Sequence, residues 1–167
     1  MNTTLTKEDP RPLVRWEHRV YTGELSELSR VRADLARDLA GFDPDLVDTL
    51  QLCASELHAN CAKYTDPHRT YGEVVRALSM PDERTLRLSL SDSGGGGGIP
   101  AIPAERTEDD WNWAEGQRGL LLVENLAREW GHFRLAPWAD LGTHVWAVFD
   151  VAPATVPAGL RPFVFTC

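Results

Sequence analysis

The sequence predicts a single α+β domain in which three helices cover one face of a β-sheet. Five segments have the residue pattern of strands, and three have apolar residues recurring every three or four positions, as amphipathic helices do. Their order along the chain is β-α-α-β-β-loop-α-β-β. With 167 residues, 43% of them apolar, the chain can bury one sizeable core and needs no second domain.

The first part of the chain supplies a strand and two helices. A strand is predicted over residues 14–20, where every second residue is apolar or aromatic. Residues 23–41 repeat leucine and valine at helical spacing and end in a glycine, which predicts the first helix. The second helix is predicted to begin at Asp43-Pro44, a capping residue followed by a proline in the first turn, and to end near Tyr64.

The second part supplies a hairpin, a third helix and two closing strands. The hairpin strands, residues 72–80 and 85–91, are separated by the turn segment Pro-Asp-Glu-Arg. The third helix is predicted over residues 119–130. The closing strands are predicted over residues 132–138 and 143–151, which completes the sheet.

A long segment without regular pattern, residues 93–118, separates the hairpin from the third helix. It contains five consecutive glycines, two prolines and an acidic stretch with two tryptophans. A loop of this length inside a compact domain is usually a functional lid or a disordered segment. We therefore predict a flexible tail over residues 1–12, a domain over residues 13–152 with a lid at about 93–118, and a Pro-rich tail over residues 153–167.

Composition excludes several classes of function. The net charge of −8 argues against binding a phosphate backbone or a membrane surface, because both need a basic footprint. No apolar run approaches the length of a membrane span and the N-terminal residues are polar, so we predict a cytoplasmic protein. The three cysteines have no metal-ligand spacing. Cys53 and Cys61 fall in a helical pattern, where a small buried thiol is typical.

Glu56 and Asn60 are the first candidate site residues. On the predicted second helix, at roughly 100° per residue, they lie side by side at the edge of the apolar stripe. Two polar groups one turn apart at a core boundary can converge on one ligand. The alternative is a solvated helix flank with an incidental pair at i and i+4. From this helix alone, both interpretations stay open.

Asp92 ends the second hairpin strand on the same face as Leu86, Leu88 and Leu90. A carboxylate buried there needs a partner, and it can accept a hydrogen bond from the exocyclic amine of a base. The alternative is an ordinary strand-end carboxylate that caps a turn. The glycines that begin at Gly94 let backbone amides approach a phosphate closely, although polyglycine is also typical of flexible linkers.

The start of the third helix, Arg118-Gly119, is a candidate anion site, because the amide-rich N-terminus of a helix attracts negative charge. A surface arginine is the alternative. The familiar phosphate motifs are absent from the sequence: no Gly-Lys-Ser/Thr follows the glycines, and GGGGGIP leads into prolines rather than a helix. The histidines have no zincin spacing, and there is no nucleophile elbow.

Taken together, ELHAN, SDSGGG and GQRGLLLVENLAREWG resemble the N box and glycine boxes of the ATPase superfamily shared by gyrase, histidine kinases and mismatch-repair proteins. The most similar branch is the anti-sigma-factor serine/threonine kinase family (RsbW-like), whose last helix typically reads Gly-Arg-Gly-Leu-x-Leu-Val and ends in Trp-Gly, as at Trp130-Gly131. The resemblance covers roughly residues 14–150. It implies the Bergerat ATP-binding fold, a two-layer α/β sandwich with a mixed, mostly antiparallel sheet under three helices.

The resemblance also implies ATP and Mg²⁺ as cofactors and assigns roles to five residues. Asn60 would coordinate the magnesium ion that bridges the phosphates. Glu56 would act as the general base that accepts the proton of a substrate serine. Asp92 would bind the adenine amine, and Gly94 and Gly96 would allow the lid to approach the nucleotide.

Further positions that the resemblance implies for nucleotide binding are Lys63, Arg118, Gly119, Leu120 and Thr143. Those on the third helix would meet the phosphates. Where the family often has Gly-Lys-Thr-Val-Trp, this chain has Gly-Thr-His-Val-Trp. The sequence therefore predicts that His144 replaces the threonine that supports the adenine site. Lys63 stands in a region where the family usually carries a histidine.

The function that the resemblance implies is an ATP-binding regulator that phosphorylates a serine or threonine of an anti-anti-sigma protein. A sigma factor is its second implied partner, with no direct contact to nucleic acid or membrane, and a homodimer is an option. Trp111 and Trp113 are candidates for partner contact, lid closure or a hydrophobic latch. One alternative is a non-catalytic nucleotide-binding or partner-binding module on the same fold. Another is a sensor-kinase domain that phosphorylates histidine, which the lack of a preceding acceptor helix disfavours.

Overall fold

A computed structural model describes residues 13–63, 72–92, 115–134 and 142–160 of the chain. The elements are, in chain order, β1 (Val14–Arg15), β2 (Arg19–Thr22), α1 (Leu28–Asp38), α2 (Pro44–Lys63), β3 (Glu73–Asp82), β4 (Thr85–Asp92), α3 (Glu115–Leu126), β5 (Glu129–Arg134) and β6 (Thr143–Asp150). Most of the predicted lid, including Trp111 and Trp113, lies outside the described residues.

The sheet has the strand order β1-β3-β4-β6-β5, and β2 pairs with the opposite end of β3 from β1. Every strand pair that the structure describes is antiparallel. Leu86, Leu88 and Leu90 of β4 are fully buried on the face that the helices cover, as their alternation predicts. The predicted α+β sandwich with helices on one face of the sheet is confirmed.

The predicted strand over residues 14–20 is two short strands, so the prediction of one continuous strand is wrong. Between β1 and β2, the indole Nε1 of Trp16 donates a hydrogen bond to the carbonyl oxygen of Asp38 at 2.9 Å. The ring also packs on Phe42, with 6.1 Å between the ring centroids. These contacts dock Trp16 on the end of α1, while its backbone N–H still bonds the carbonyl oxygen of Leu78 in β3. The pairing register with β3 differs between β1 and β2, so the strand is interrupted after Trp16.

The second helix begins where the sequence predicts it. Oδ1 of Asp43 accepts the backbone N–H of Asp45 at 3.0 Å, and Pro44 occupies the first helical position. Leu50 and Leu57 of its apolar stripe are at most 1% exposed. Burying one leucine contributes about 2 kcal/mol, so the stripe fixes the rotation of α2 about its axis. That rotation decides where the polar residues at its edge point.

The third helix begins and ends earlier than the predicted range of 119–130. Trp130 and Gly131 belong to β5, where they pair with Ala147 and Trp146 of β6. A Cβ added to Gly131 would lie 2.7 Å from the ring of Trp146. Gly131 therefore leaves room for the indole to lie across the strand, and its assignment as the end of a helix is wrong.

Two predictions from composition concern the cysteines and membranes. Cys53 and Cys61 are buried cysteine thiols, as predicted. No helix in the described part of the chain is both long enough and apolar enough to cross a bilayer. At the C-terminal end, Val156 and Leu160 pack against the core, although the sequence places them in a tail.

A buried ionic cluster, called the ionic brace below, joins α1 to the sheet. It consists of Arg19, Asp34, Asp38 and Arg76, together with Tyr21. Arg76 is 0% exposed and donates from Nη2 to Asp38, whose carboxylate also accepts two hydrogen bonds from Arg19, at 2.6 and 2.8 Å. The hydroxyl of Tyr21 donates to Asp34 at 2.9 Å. Burial pushes the pKa of Asp38 up, but the bonds from Arg19 and Arg76 outweigh it and hold that pKa below its usual value.

Candidate functional site

Asn60 is buried, with 4% of its surface exposed. It lies one turn beyond Glu56 on α2, at the edge of the apolar stripe, as predicted. Its amide nitrogen Nδ2 has no hydrogen-bond partner within the described residues. An unsatisfied buried donor costs about 1–3 kcal/mol. Among the described residues this N–H group stays unsatisfied, so it is able to donate a hydrogen bond to a ligand.

Glu56 lies where α2 and α3 meet, and it is partly exposed. Its side chain lies directly against the backbone of Gly119. A Cβ added to Gly119 would be 3.2 Å from both Cβ and Cδ of Glu56, and closer still to Oε2. The carboxylate therefore packs on the backbone of α3 at a position where that helix has no side chain.

Asp92 is held at the end of β4 by the neighbouring strand. Its Oδ1 accepts the backbone N–H of Thr143 at 3.1 Å, which fixes the orientation of the carboxylate. Burial raises the pKa of the Cys61 thiol to about 12, and the nearby carboxylate of Asp92 adds to the increase. Because Cys61 follows Asn60 directly, the C-terminal part of α2 and the end of β4 converge on one region.

His144 lies on the opposite face of the sheet from Asp92, which corrects the interpretation of this residue. Successive residues of β6 point to opposite faces. On the outer face His144 Nδ1 is hydrogen-bonded to Ser91 Oγ at 2.7 Å, and the ring stacks on Phe133 with 4.7 Å between centroids. Burial lowers the pKa of His144. Thr143 is the β6 residue beside Asp92, so the site has its threonine one position earlier than the sequence interpretation assumed.

The remaining predicted residues are placed differently. The side chain of Leu120 is fully buried and belongs to the hydrophobic core. Lys63 is the last residue of α2 and Arg118 lies near the start of α3, but their side chains lie outside what the structure describes. Gly94 and Gly96 are in the segment after β4, which also lies outside the described residues.

The structure therefore brings five of the predicted residues together at one end of α2. Glu56 touches Gly119, Asn60 lies one turn further along, and Asp92 and Thr143 reach the same region from the sheet. The arrangement offers a carboxylate as a proton acceptor, a buried amide, and a second carboxylate oriented by a backbone N–H. Those groups suit a ligand with both an amine and an anionic part.

Two residues of this region were assigned no role in the site from the sequence. Cys61 was interpreted only as a buried thiol, although it is adjacent to Asn60 in the chain. His58 lies two positions along α2 from both Glu56 and Asn60, and therefore on a different face of the helix. It is fully buried, and its Nε2 is hydrogen-bonded to the carbonyl oxygen of Thr22 at 2.8 Å. That bond ties α2 to β2. The sequence feature that could have drawn attention to His58 is its position inside the Glu-x-x-x-Asn segment.

Magnesium is compatible with the residues that are present. In the described ranges, no group of three or more His, Cys, Asp and Glu side chains could hold a metal ion by itself. A magnesium ion bound together with a nucleotide needs less, because phosphate oxygens and water fill most of its six positions. Asn60 can supply its amide oxygen Oδ1, because carbonyl oxygens are among the ligands that suit Mg²⁺.

Comparison with known proteins identifies the domain type. A family model described as histidine kinase-like ATPase domain matches residues 21–149. Among curated proteins, none matches significantly. A solved histidine kinase domain, from the blue-light activated histidine kinase of Erythrobacter litoralis EL346, matches with 22% identity and a TM-score of 0.48, over 82% of this chain and 65% of that one. This chain thus spans less than two thirds of the length of that solved chain.

Proposed function

The chain belongs to the histidine kinase-like ATPase domain family, and on that premise we propose that it binds Mg²⁺–ATP between α2, α3 and the end of β4. We propose further that it transfers the γ-phosphoryl group to a serine or threonine of an anti-anti-sigma protein. One observation carries the proposal: the side-chain nitrogen Nδ2 of the buried Asn60 has no hydrogen-bond partner within the described residues, and Asn60 lies one turn from Glu56.

The adenine would be recognised by Asp92. A carboxylate can accept hydrogen bonds at about four lone-pair positions. When one oxygen is already held by a hydrogen bond, the other oxygen has a defined direction in which it can accept the adenine amine. The N–H of Thr143 provides that fixed point at Oδ1. The adjacent Cys61 is a small, uncharged thiol at neutral pH, because burial raises its pKa to about 12. It would therefore contribute an apolar wall beside the base without competing for the amine.

The phosphates would lie toward Asn60 and the first turns of α3. The N-terminus of a helix attracts anions, and α3 begins only four residues before Gly119. Asn60 would hold Mg²⁺, which when bound bridges phosphate oxygens and offsets the charge that develops in phosphoryl transfer. Glu56 would accept the proton of the attacking hydroxyl, because it is the partly exposed carboxylate of the pair while Asn60 is buried.

Calorimetric titration with ATP and MgCl₂ tests the binding step. Asn60→Ala should weaken ATP affinity by about tenfold or more relative to the wild type, since it removes the proposed metal ligand. Gln51→Ala is the matched control, because it removes the same kind of amide group from α2 at a partly exposed position, where Nε2 donates to the carbonyl oxygen of Arg32. Absence of ATP binding by the folded wild type would contradict the proposal.

Phosphotransfer is tested separately, with an anti-anti-sigma protein as acceptor and phosphoserine or phosphothreonine detected by mass spectrometry. Glu56→Gln should lower the initial rate by about 100-fold or more and leave ATP affinity within about threefold. Glu124→Gln, an exposed carboxylate on α3, is the control. ATP binding and stable complex formation without any phosphorylated acceptor would instead favour a non-catalytic nucleotide-binding module.

The proposed regulation acts through protein partners. We propose a sigma factor as the second partner, with release or capture depending on the phosphorylation state of the first. Mixing the three proteins and measuring the sigma-bound fraction by gel filtration tests this order. A sigma-bound fraction that is unaffected by ATP and by the acceptor protein would contradict it.

A further inference from the structure

The backbone conformation of Gly119 does not require a glycine. It lies inside α3, where glycine is among the least favourable residues. The described glycines with positive φ are Gly41, Gly142 and Gly159, so Gly119 does not need the left-handed conformation. What requires the absence of a side chain is therefore space.

The atoms that occupy this space belong to Glu56. An added Cβ would overlap with Oε2 of Glu56. It would also lie 3.2 Å from Cβ and Cδ of the same side chain. The backbone of Glu56 cannot retreat easily, because Leu57 and Cys53 on the same helix are buried in the core. The carboxylate is the part that can move, by rotation away from α3.

We infer that Gly119 is a positioning residue for Glu56: its missing side chain lets the carboxylate lie against the backbone of α3. An alanine at this position turns the carboxylate to another rotamer and leaves the helix intact. The inference rests on the proposed function only for what Glu56 does, not for where it lies. It differs from the phosphate-contact role that the sequence resemblance implies for Gly119, in which the glycine would make room for the nucleotide.

A double-mutant cycle on the full chain, by urea unfolding without nucleotide, tests the geometry. Gly119→Ala should lower the midpoint in the wild type. In a Glu56→Ala background the same change should lower it less or raise it, since only the contact with Cβ at 3.2 Å remains and alanine is the better helix former. Additive effects of the two changes would overturn the inference. Glu124→Ala, which removes an exposed carboxylate from α3, should show no coupling to Gly119→Ala.

The kinetic consequence separates positioning from nucleotide contact. Gly119→Ala should reduce kcat for phosphotransfer by about tenfold or more, because a displacement of about 1 Å in a reacting group is costly, while the Kd for Mg²⁺–ATP stays within about twofold. In the Glu56→Ala background it should cause no further loss of kcat. Weakened ATP binding in both backgrounds would overturn the inference in favour of a phosphate contact. Failure of the wild type to bind ATP would remove the proposed function, but the unfolding cycle would still decide where Glu56 lies.

Discussion

The ionic brace and the candidate site place polar residues at the boundary between helices and sheet in opposite ways. In the brace, two arginines converge on Asp38. Asp34 accepts a hydrogen bond from Tyr21 and lies 3.8 Å from Nη1 of Arg19, so both carboxylates have a positive partner within the chain. In the site, the buried amide of Asn60 keeps a nitrogen without a partner among the described residues. The brace uses its charges to hold α1 on the sheet, whereas the site retains capacity for hydrogen bonds to something else.

Compensation of charge in the brace does not mean that every N–H is satisfied. Nε and Nη1 of Arg76 also have no partner within the described residues. The difference is that Arg76 is committed to Asp38 through Nη2 and is 0% exposed, so it cannot turn toward a ligand. An unsatisfied polar group therefore indicates a ligand site only where solvent or a ligand can reach it. Near Asn60, the partly exposed Glu56 marks such a place.

The largest expected effect is on stability, from breaking the brace. Asp38→Ala should lower the free energy of unfolding by about 3–5 kcal/mol, because it leaves the buried Arg76 uncompensated. Urea unfolding measures this, with Arg37→Ala as the control, since Arg37 is 72% exposed and should cost less than about 1 kcal/mol. At temperatures where the variant is folded, its ATP affinity should stay within about twofold of the wild type. A large loss of affinity would show that the brace and the site are not separate.

The second effect is the pH dependence of the brace. The pKa of Asp38 is held below its ordinary value of 3.8 in the folded chain. A depressed carboxyl pKa contributes stability that is present above the unfolded pKa and is lost as the pH falls through the folded pKa. The unfolding free energy of the wild type should therefore fall as the pH drops below about 4, and that of Asp38→Ala should fall less steeply. Parallel profiles would contradict this assignment.

The smallest effect is expected on the outer face of the sheet. His144→Ala should leave the Kd for Mg²⁺–ATP within about twofold, because the ring bonds Ser91 on the face away from Asp92. Calorimetry on the variant, beside Asn60→Ala, measures the contrast between the two faces. Loss of ATP binding in His144→Ala would restore the original interpretation, in which this histidine stands in the adenine site.

Local signals in the sequence were enough for much of the fold. The cap at Asp43-Pro44 and the stripe of α2 predicted both the start of that helix and the edge position of Glu56 and Asn60. Alternation predicted the buried face of β4, and with it the side on which Asp92 lies. These features depend on residues only a few positions apart in the chain, so the spacing of apolar residues is sufficient to predict them.

Features set by distant contacts were not predictable in this way. The docking of Trp16 on α1 depends on the hydrogen bond from its indole to Asp38, 22 residues away in the chain. The position of Gly131 in a strand depends on the indole of Trp146 crossing it. Arg76 occupies a position in β3 where the pattern predicts a buried apolar residue. The hydrogen bond to Asp38 offsets the free-energy cost of burying its charge. Each is a pairing between elements that no single segment reveals.

The pairing of β4 with β6 has a consequence for how the chain tolerates insertions and deletions. Thr143 and His144 are consecutive, but one lies beside Asp92 and the other beside Ser91 on the reverse side. Removing one residue from the strand would exchange which of them faces the helices, and it would move buried residues such as Val145 and Ala147 to the outer face as well. A functional site thus depends on the number of residues in β6 as well as on their identities. Length changes in this strand should therefore be rarer among functional variants than substitutions of similar size.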